Sequence, residues 1–170
     1  MITCPEGQTN DFGRIGCRHK NEDGRVATEA EVSAFEEKIG TPRPDSLREY
    51  FLQSGGGRVF DPPVIYLDAK EREFRLRHMG SLAETAQNFM TPRSYPLPRE
   101  LLIIGNDAGG NSIMICTRRD RFGEIFMLDH ELVAYEGEPE ELEAAEEYGL
   151  VTSYSESFAH FLGDLRIEEY

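Results

Sequence analysis

The sequence contains no tryptophan and three cysteines, Cys4, Cys17 and Cys116. So few thiols, odd in number, cannot form the disulfide framework of a small secreted domain, and they fit a reducing, cytoplasmic setting. No apolar run exceeds four residues, as at Leu101–Ile104 and Ile113–Cys116, against the roughly 20 that a membrane-spanning helix needs. The first ten residues lack a basic head followed by an apolar stretch, so no secretory signal is expected. Cations are also scarce: 18 Lys and Arg face 32 Asp and Glu among 170 residues, a net charge of −14. That balance repels phosphate, which argues against direct binding to nucleic acid or to an anionic membrane.

What is present is enough for one core. The length fits a single domain, and ten Phe and seven Tyr supply bulky apolar surface. Residues 1–25 read as an irregular leader interrupted by glycines, and residues 26–170 as a single folded domain. Charge is concentrated toward the end. Residues 131–170 carry twelve carboxylates and one cation, Arg166, a net of −11 that leaves −3 for the rest. Seven of the twelve lie between Glu136 and Glu147 without a basic neighbour. Such density opposes compaction by self-repulsion, so something must offset it. Two readings of the acidic segment, 136–148, stay open: a solvated helix face, or a docking surface for a basic partner.

Thr28, with Glu31 three residues on, predicts a capping box. Val32, Phe35 and Ile39 share the following helix face, and Gly40 marks its end. Leu47, Tyr50 and Phe51 predict a second helix from Asp45 to the turn at Ser54-Gly55-Gly56. Val59-Phe60 and Val64–Leu67 read as separate short strands, and Glu73–Met79 alternates as a half-buried antiparallel strand. Ser81 caps a helix to Phe89, with Leu82, Thr85, Ala86 and Phe89 inward. Three strands follow, near Leu101–Gly105, Ile113–Thr117 and Glu124–Asp129. Pro139 suits the first turn of an acidic helix ending near Gly149. Ser155 or Ser157 opens a last helix with Phe158, Phe161, Leu162 and Leu165 on one stripe. The order predicts an α+β fold, a mainly antiparallel sheet of about five to six strands with helices packed on it.

Chemical motifs are few. The loop Gly105-Asn106-Asp107-Ala108-Gly109-Gly110-Asn111 is glycine-rich, but a strand rather than a helix follows it and Asp107 would repel an anion. It therefore reads as a hairpin turn and not a phosphate cradle. On a strand, Asp129 and Glu131 would share one face and His130 the other, so the three do not converge on a metal. Cys4, Cys17 and His19 lack a fourth ligand for a structural zinc. Cys116 sits in an apolar run and reads as an inert core thiol. No catalytic residue, metal site or cofactor is expected, and an enzyme using His130 with Asp107 or Asp129 ranks last among the functional readings.

These pieces together resemble the SUKH superfamily, in its Smi/Knr-type group. The similarity is carried by Ile39-Gly40, Pro44, Tyr50-Phe51-Leu52 and Ser54-Gly55-Gly56, then by Ile104-Gly105 through Gly109-Gly110-Asn111. It continues through Gly123-Glu124-Ile125-Phe126 and Asp129-His130 to Ser157-Phe158-Ala159-His160-Phe161-Leu162, covering roughly residues 26–165. The resemblance implies an α+β fold and a noncatalytic binding role. Many bacterial members are inferred immunity proteins that block a toxin, often a nuclease, whereas eukaryotic relatives are regulatory interaction proteins. The expectation is thus a monomeric immunity protein that neutralises a basic toxin domain. The alternative is a regulatory scaffold for a cellular protein. The partner-binding candidates are Ser54, Gly55, Gly56, Asp107, Asp129, His130, Glu131, Glu136, Glu138, Glu140 and Glu141.

Overall fold

Thr28 caps the first helix as its spacing predicts. In this computed structural model, which describes residues 17–19, 26–40, 44–54, 57–68, 70–90, 97–133 and 139–166, the Thr28 side chain accepts from the Glu31 N–H and the Thr28 N–H donates to Glu31 Oε2 at 2.8 Å. Helix α1 (Glu29–Ile39) then ends at Gly40, whose φ of 70° is the left-handed conformation glycine takes without strain. Helix α2 (Asp45–Ser54) buries Leu47, Tyr50 and Phe51.

The sheet contains β1 (Cys17–His19), β2 (Arg58–Leu67), β3 (Glu73–Met79), β4 (Leu101–Asp107), β5 (Ser112–Cys116), β6 (Ile125–Leu128), β7 (Val151–Ser155) and β8 (Leu165–Arg166). Helices α3 (Leu82–Met90), α4 (Leu142–Glu147) and α5 (Phe158–Gly163) complete the α+β plan. Strands β1 to β7 lie side by side in chain order and every pairing is antiparallel. The two-residue β8 joins β2 on the edge away from β3, beside β1. Strand β2 is thus one ten-residue element where two short ones were expected, with a register irregularity between Val59 and Val64. On its outer edge Phe60 pairs with Cys17 and Ile65 with Arg166.

Alternation explains the four-residue apolar runs. Leu102, Ile104, Ile113, Ile115, Ile125 and Met127 join one cluster with Val32, Phe35, Leu47, Phe51, Phe158 and Phe161 from the helices. Their neighbours Leu101, Met114, Cys116, Phe126 and Leu128 point the other way and meet Leu97, Leu142, Ala145, Leu150 and Val151. Strands buried on both faces lose the apolar-polar alternation, which is why they read as continuous runs. Gly105 marks a close approach within the sheet: a Cβ there would stand 2.4 Å from the His78 carbonyl oxygen on β3.

The sheet curls so that β7 returns toward the start of the molecule. The Tyr66 hydroxyl on β2 donates to the Tyr154 carbonyl at 2.9 Å, and an Arg72 N–H donates to the Ser153 carbonyl at 2.7 Å. These bonds satisfy two carbonyl groups of β7 with side chains in place of a further strand. Aromatic rings of Tyr66, Phe74, Tyr154 and Phe161 fill the space between, with centroids 4.8 to 6.2 Å apart.

Several expectations change. Among the described residues the sheet has eight strands, more than the five to six expected, through the addition of β1, β7 and β8. Strand β1 lies inside the segment 1–25, whose other residues are outside the described ones. The acidic helix starts at Leu142, with Pro139 ahead of it and not in its first turn. Residues His130–Leu132 form a 3₁₀ turn and not a strand, because the Asp129 side chain accepts the Glu131 N–H at 2.9 Å and bends the chain. Phe89 is exposed rather than inward, and Leu165, though buried, lies on β8 and not on the last helix.

Candidate protein-binding surface

The acidic helix is anchored to the core before it offers anything outward. Leu142 and Ala145 of α4 are completely buried against the second face of the sheet. The cations that offset its charge come from the turn between β5 and β6. Arg118 reaches Glu143 at 2.6 Å, Asp120 at 2.8 Å and Glu100 at 3.7 Å. Arg121 bonds Glu124 at 2.6 and 2.7 Å and also pairs with Glu146. Its guanidinium lies 4.7 Å from the centre of the Phe126 ring, and Glu124 accepts in turn from the Ser153 hydroxyl.

The titration behaviour follows from these contacts. The Arg118 hydrogen bond holds Glu143 below its ordinary carboxylate range. Burial would raise Glu124, but hydrogen bonds from Arg121 and Ser153 outweigh it and bring the group down. Both arginines are pushed up, Arg118 chiefly by its hydrogen bond to Glu143 and Arg121 by those to Glu124 and Glu146. Two cations thus fix two of the α4 carboxylates in place.

The rest of the negative charge faces solvent. Glu140, Glu141 and Glu147 are exposed and have no ion pair among the described residues, and Glu131 on the neighbouring 3₁₀ turn is in the same state. That turn is tied to the end of α4: the Asp129 N–H donates to the Leu150 carbonyl at 3.0 Å, and a Cβ on Gly149 would stand 3.9 Å from Leu132 Cδ1. Leu132 is 54% exposed and Tyr148 is 73% exposed, the highest value among the exposed large apolar side chains of the described residues.

The other expected site residues play different local parts. Asp107 is 7% exposed, and its carboxylate accepts from the Asn111 backbone N–H at 2.7 Å and from Asn111 Nδ2 at 3.0 Å. It builds the β4–β5 turn rather than displaying charge. Asn111 Oδ1 accepts the His130 N–H at 3.1 Å and lies 2.8 Å from His130 Nδ1. Asn111 therefore stands between His130 and Asp107, and the two groups once paired as a catalytic reading are joined through an amide. Asp129 caps its own turn. Ser54 ends α2, while Gly55, Gly56, Glu136 and Glu138 lie outside the described residues.

A cleft of about 720 Å³ adjoins Glu124, lined by residues that also include Asp68, Arg72, Ser153, Tyr154 and His160. Four of its polar groups are paired: Arg72 pairs with Asp68 at 2.6 Å, and His160 Nδ1 lies 2.8 Å from Glu156 Oε1. Among the described residues no group of three His, Cys, Asp or Glu side chains is placed to hold a metal ion, and no helix is long and apolar enough to cross a membrane. The Cys4, Cys17 and His19 side chains lie outside the described residues. Cys116 is fully buried, and that burial pushes its thiol above the ordinary range.

Sequence reasoning missed Arg118 and Arg121 as the clamps on α4, Asn111 as the link between two loops, and the exposure of Leu132 and Tyr148. The clamps were legible only as a charged turn, since their partners lie up to 25 residues away.

No curated protein matches the chain. Residues 26–164 match the SMI1 / KNR4 family (SUKH-1), a span that begins just before the α1 cap and runs through α5. With the antiparallel sheet, the helices on its face and this match over most of its length, the chain belongs to the SMI1 / KNR4 family (SUKH-1).

Proposed function

We propose that the chain is a noncatalytic protein-binding domain that acts as an immunity protein, covering the basic surface of a toxin with the acidic face around α4. The observation that carries this reading is the division of labour on that helix. Glu143 and Glu146 are spent on Arg118 and Arg121, while Glu140, Glu141, Glu147 and Glu131 remain exposed with no cation paired to them among the described residues. A negative patch held on a clamped helix keeps its geometry on binding, so less ordering entropy is lost than with a flexible acidic tail. Nucleases carry positive surfaces to hold phosphate, and opposite potentials speed encounter. Asp129 and His130, on the same 3₁₀ segment, and Glu136 and Glu138, in the same acidic stretch, are assigned to this face. The Asp107 turn is assigned to its margin through the Asn111–His130 contact, whereas Ser54 ends α2, which packs on the other face of the sheet.

The test is coexpression with any basic toxin domain encoded beside the gene. The wild-type chain is expected to protect cells and copurify with the toxin, and the Glu140→Lys/Glu141→Lys/Glu147→Lys variant to do neither while folding normally. Unprotected cells and no complex would reject the reading. Copurification of a cellular protein in the absence of any toxin would favour a regulatory scaffold in its place.

A further inference from the structure

Seven large apolar side chains are exposed among the described residues, and isolated ones are ordinary on any protein surface. Leu132 and Tyr148 differ because Leu132 Cδ1 lies beside Gly149, the residue that follows Tyr148, and because exposed carboxylates with no ion pair among the described residues precede both in sequence. Glu131 precedes Leu132 and Glu147 precedes Tyr148. Among the described residues no ring contact, ion pair or side-chain hydrogen bond engages Tyr148, and its backbone N–H donates to the Ala144 carbonyl at 3.0 Å.

The molecule shows what such a ring beside a carboxylate accommodates. Arg72 lies 4.4 Å from the centre of the Tyr154 ring while pairing with Asp68 at 2.6 Å. Arg121 lies 4.7 Å from the Phe126 ring while pairing with Glu124 at 2.6 Å. In both places one planar guanidinium stacks on an aromatic face and bonds a carboxylate at its edge. Tyr148 with Glu147 offers the same two chemistries to solvent, without the arginine.

We propose that Tyr148 is the anchor of the acidic face and that it selects a partner presenting arginine rather than lysine. This rests on the reading of that face as a docking surface for a basic protein. A lysine ammonium supplies charge, but it is compact and strongly hydrated and cannot stack or bond a carboxylate in a fork. The surrounding carboxylates then act as a polar rim that steers and encloses, while the ring holds the complex together.

Titration calorimetry of the full chain at low salt tests this with two synthetic peptides of equal length and charge. One repeats Gly-Arg-Leu and the other Gly-Lys-Leu. The arginine peptide is expected to bind about three- to tenfold more tightly. Tyr148→Ala should abolish that preference and leave the lysine peptide nearly unaffected, while Tyr148→Phe should keep it. Equal affinities for the wild-type chain, or a preference that survives in Tyr148→Ala, would overturn the arginine assignment and leave the docking surface standing. Binding of neither peptide would remove the docking reading together with this one.

Discussion

Replacing Arg121 by Met removes one cation from between two carboxylates while keeping an apolar stem over Phe126. The Arg121 side chain is 22% exposed and its partners Glu124 and Glu146 are 18% and 28% exposed. Breaking a fully buried pair costs about 3–5 kcal/mol, and a surface pair about 0–1 kcal/mol. For groups that keep about a quarter of their exposure, we expect a loss of about 2–3 kcal/mol. In a domain of this size that lowers Tm by about 5–10 °C. Thermal melts and urea unfolding at pH 7 read the loss, the latter as a shifted midpoint with unchanged slope. The pH dependence follows from Glu124, whose carboxyl Arg121 and Ser153 hold below its ordinary value despite burial. A depressed native value means that the stabilisation is complete above the unfolded pKa of roughly 4.3 and is lost as pH falls through the lower native one. The gap between wild type and Arg121→Met should therefore be full at pH 7 and shrink below pH 4. An unchanged midpoint at pH 7, or a gap that stays constant into acid, would refute the clamp.

Three further outcomes are expected. Leu142→Ala, at a completely buried position, should cost about 2–5 kcal/mol and speed amide exchange across residues 142–150; a loss under about 1 kcal/mol would show that α4 does not seal the second core. Gly105→Ala should prevent stable folding, because its Cβ would meet the His78 carbonyl at 2.4 Å, whereas Gly163→Ala, with nothing within 4 Å, should melt close to wild type; similar melts for the two would contradict the close packing of β3 and β4. Native Cys116 should resist iodoacetamide until the chain is unfolded, since burial raises its thiol pKa, and mass spectrometry showing equal labelling in both states would disprove its seclusion.

How much could be read beforehand depended on where the partner of each residue lay. The Thr28–Glu31 box, the Gly40 stop, the Ser81 and Ser157 caps and the alternation in Glu73–Met79 are local, and the structure keeps them all. Strand β7 was passed over because Val151-Thr152-Ser153-Tyr154-Ser155 is short and polar on one side. It is held by pairing with β6 and by side chains from β2 and the following turn. Strands β1 and β8, of three and two residues, carry too little pattern to stand out. The surface was half legible. Twelve carboxylates within forty residues announced a charged face, but Arg118 and Arg121 show that part of that charge is structural, and only the folded chain brings Leu132 to Gly149 at the end of α4.

The outer border of β2 has a consequence for how the protein behaves in a crowded solution. An open border of this kind recruits strands from other molecules and seeds aggregates. Here β1 occupies it at Arg58–Phe60 and β8 at Ile65–Tyr66, and the interval between them contains Pro62 and Pro63. Neither proline has an N–H to offer an incoming chain. Two small flaps and a pair of prolines thus leave little for a foreign strand to copy. Deleting β8 would reopen Ile65 and Tyr66, and the cost would appear as insoluble protein rather than as lost affinity for a partner.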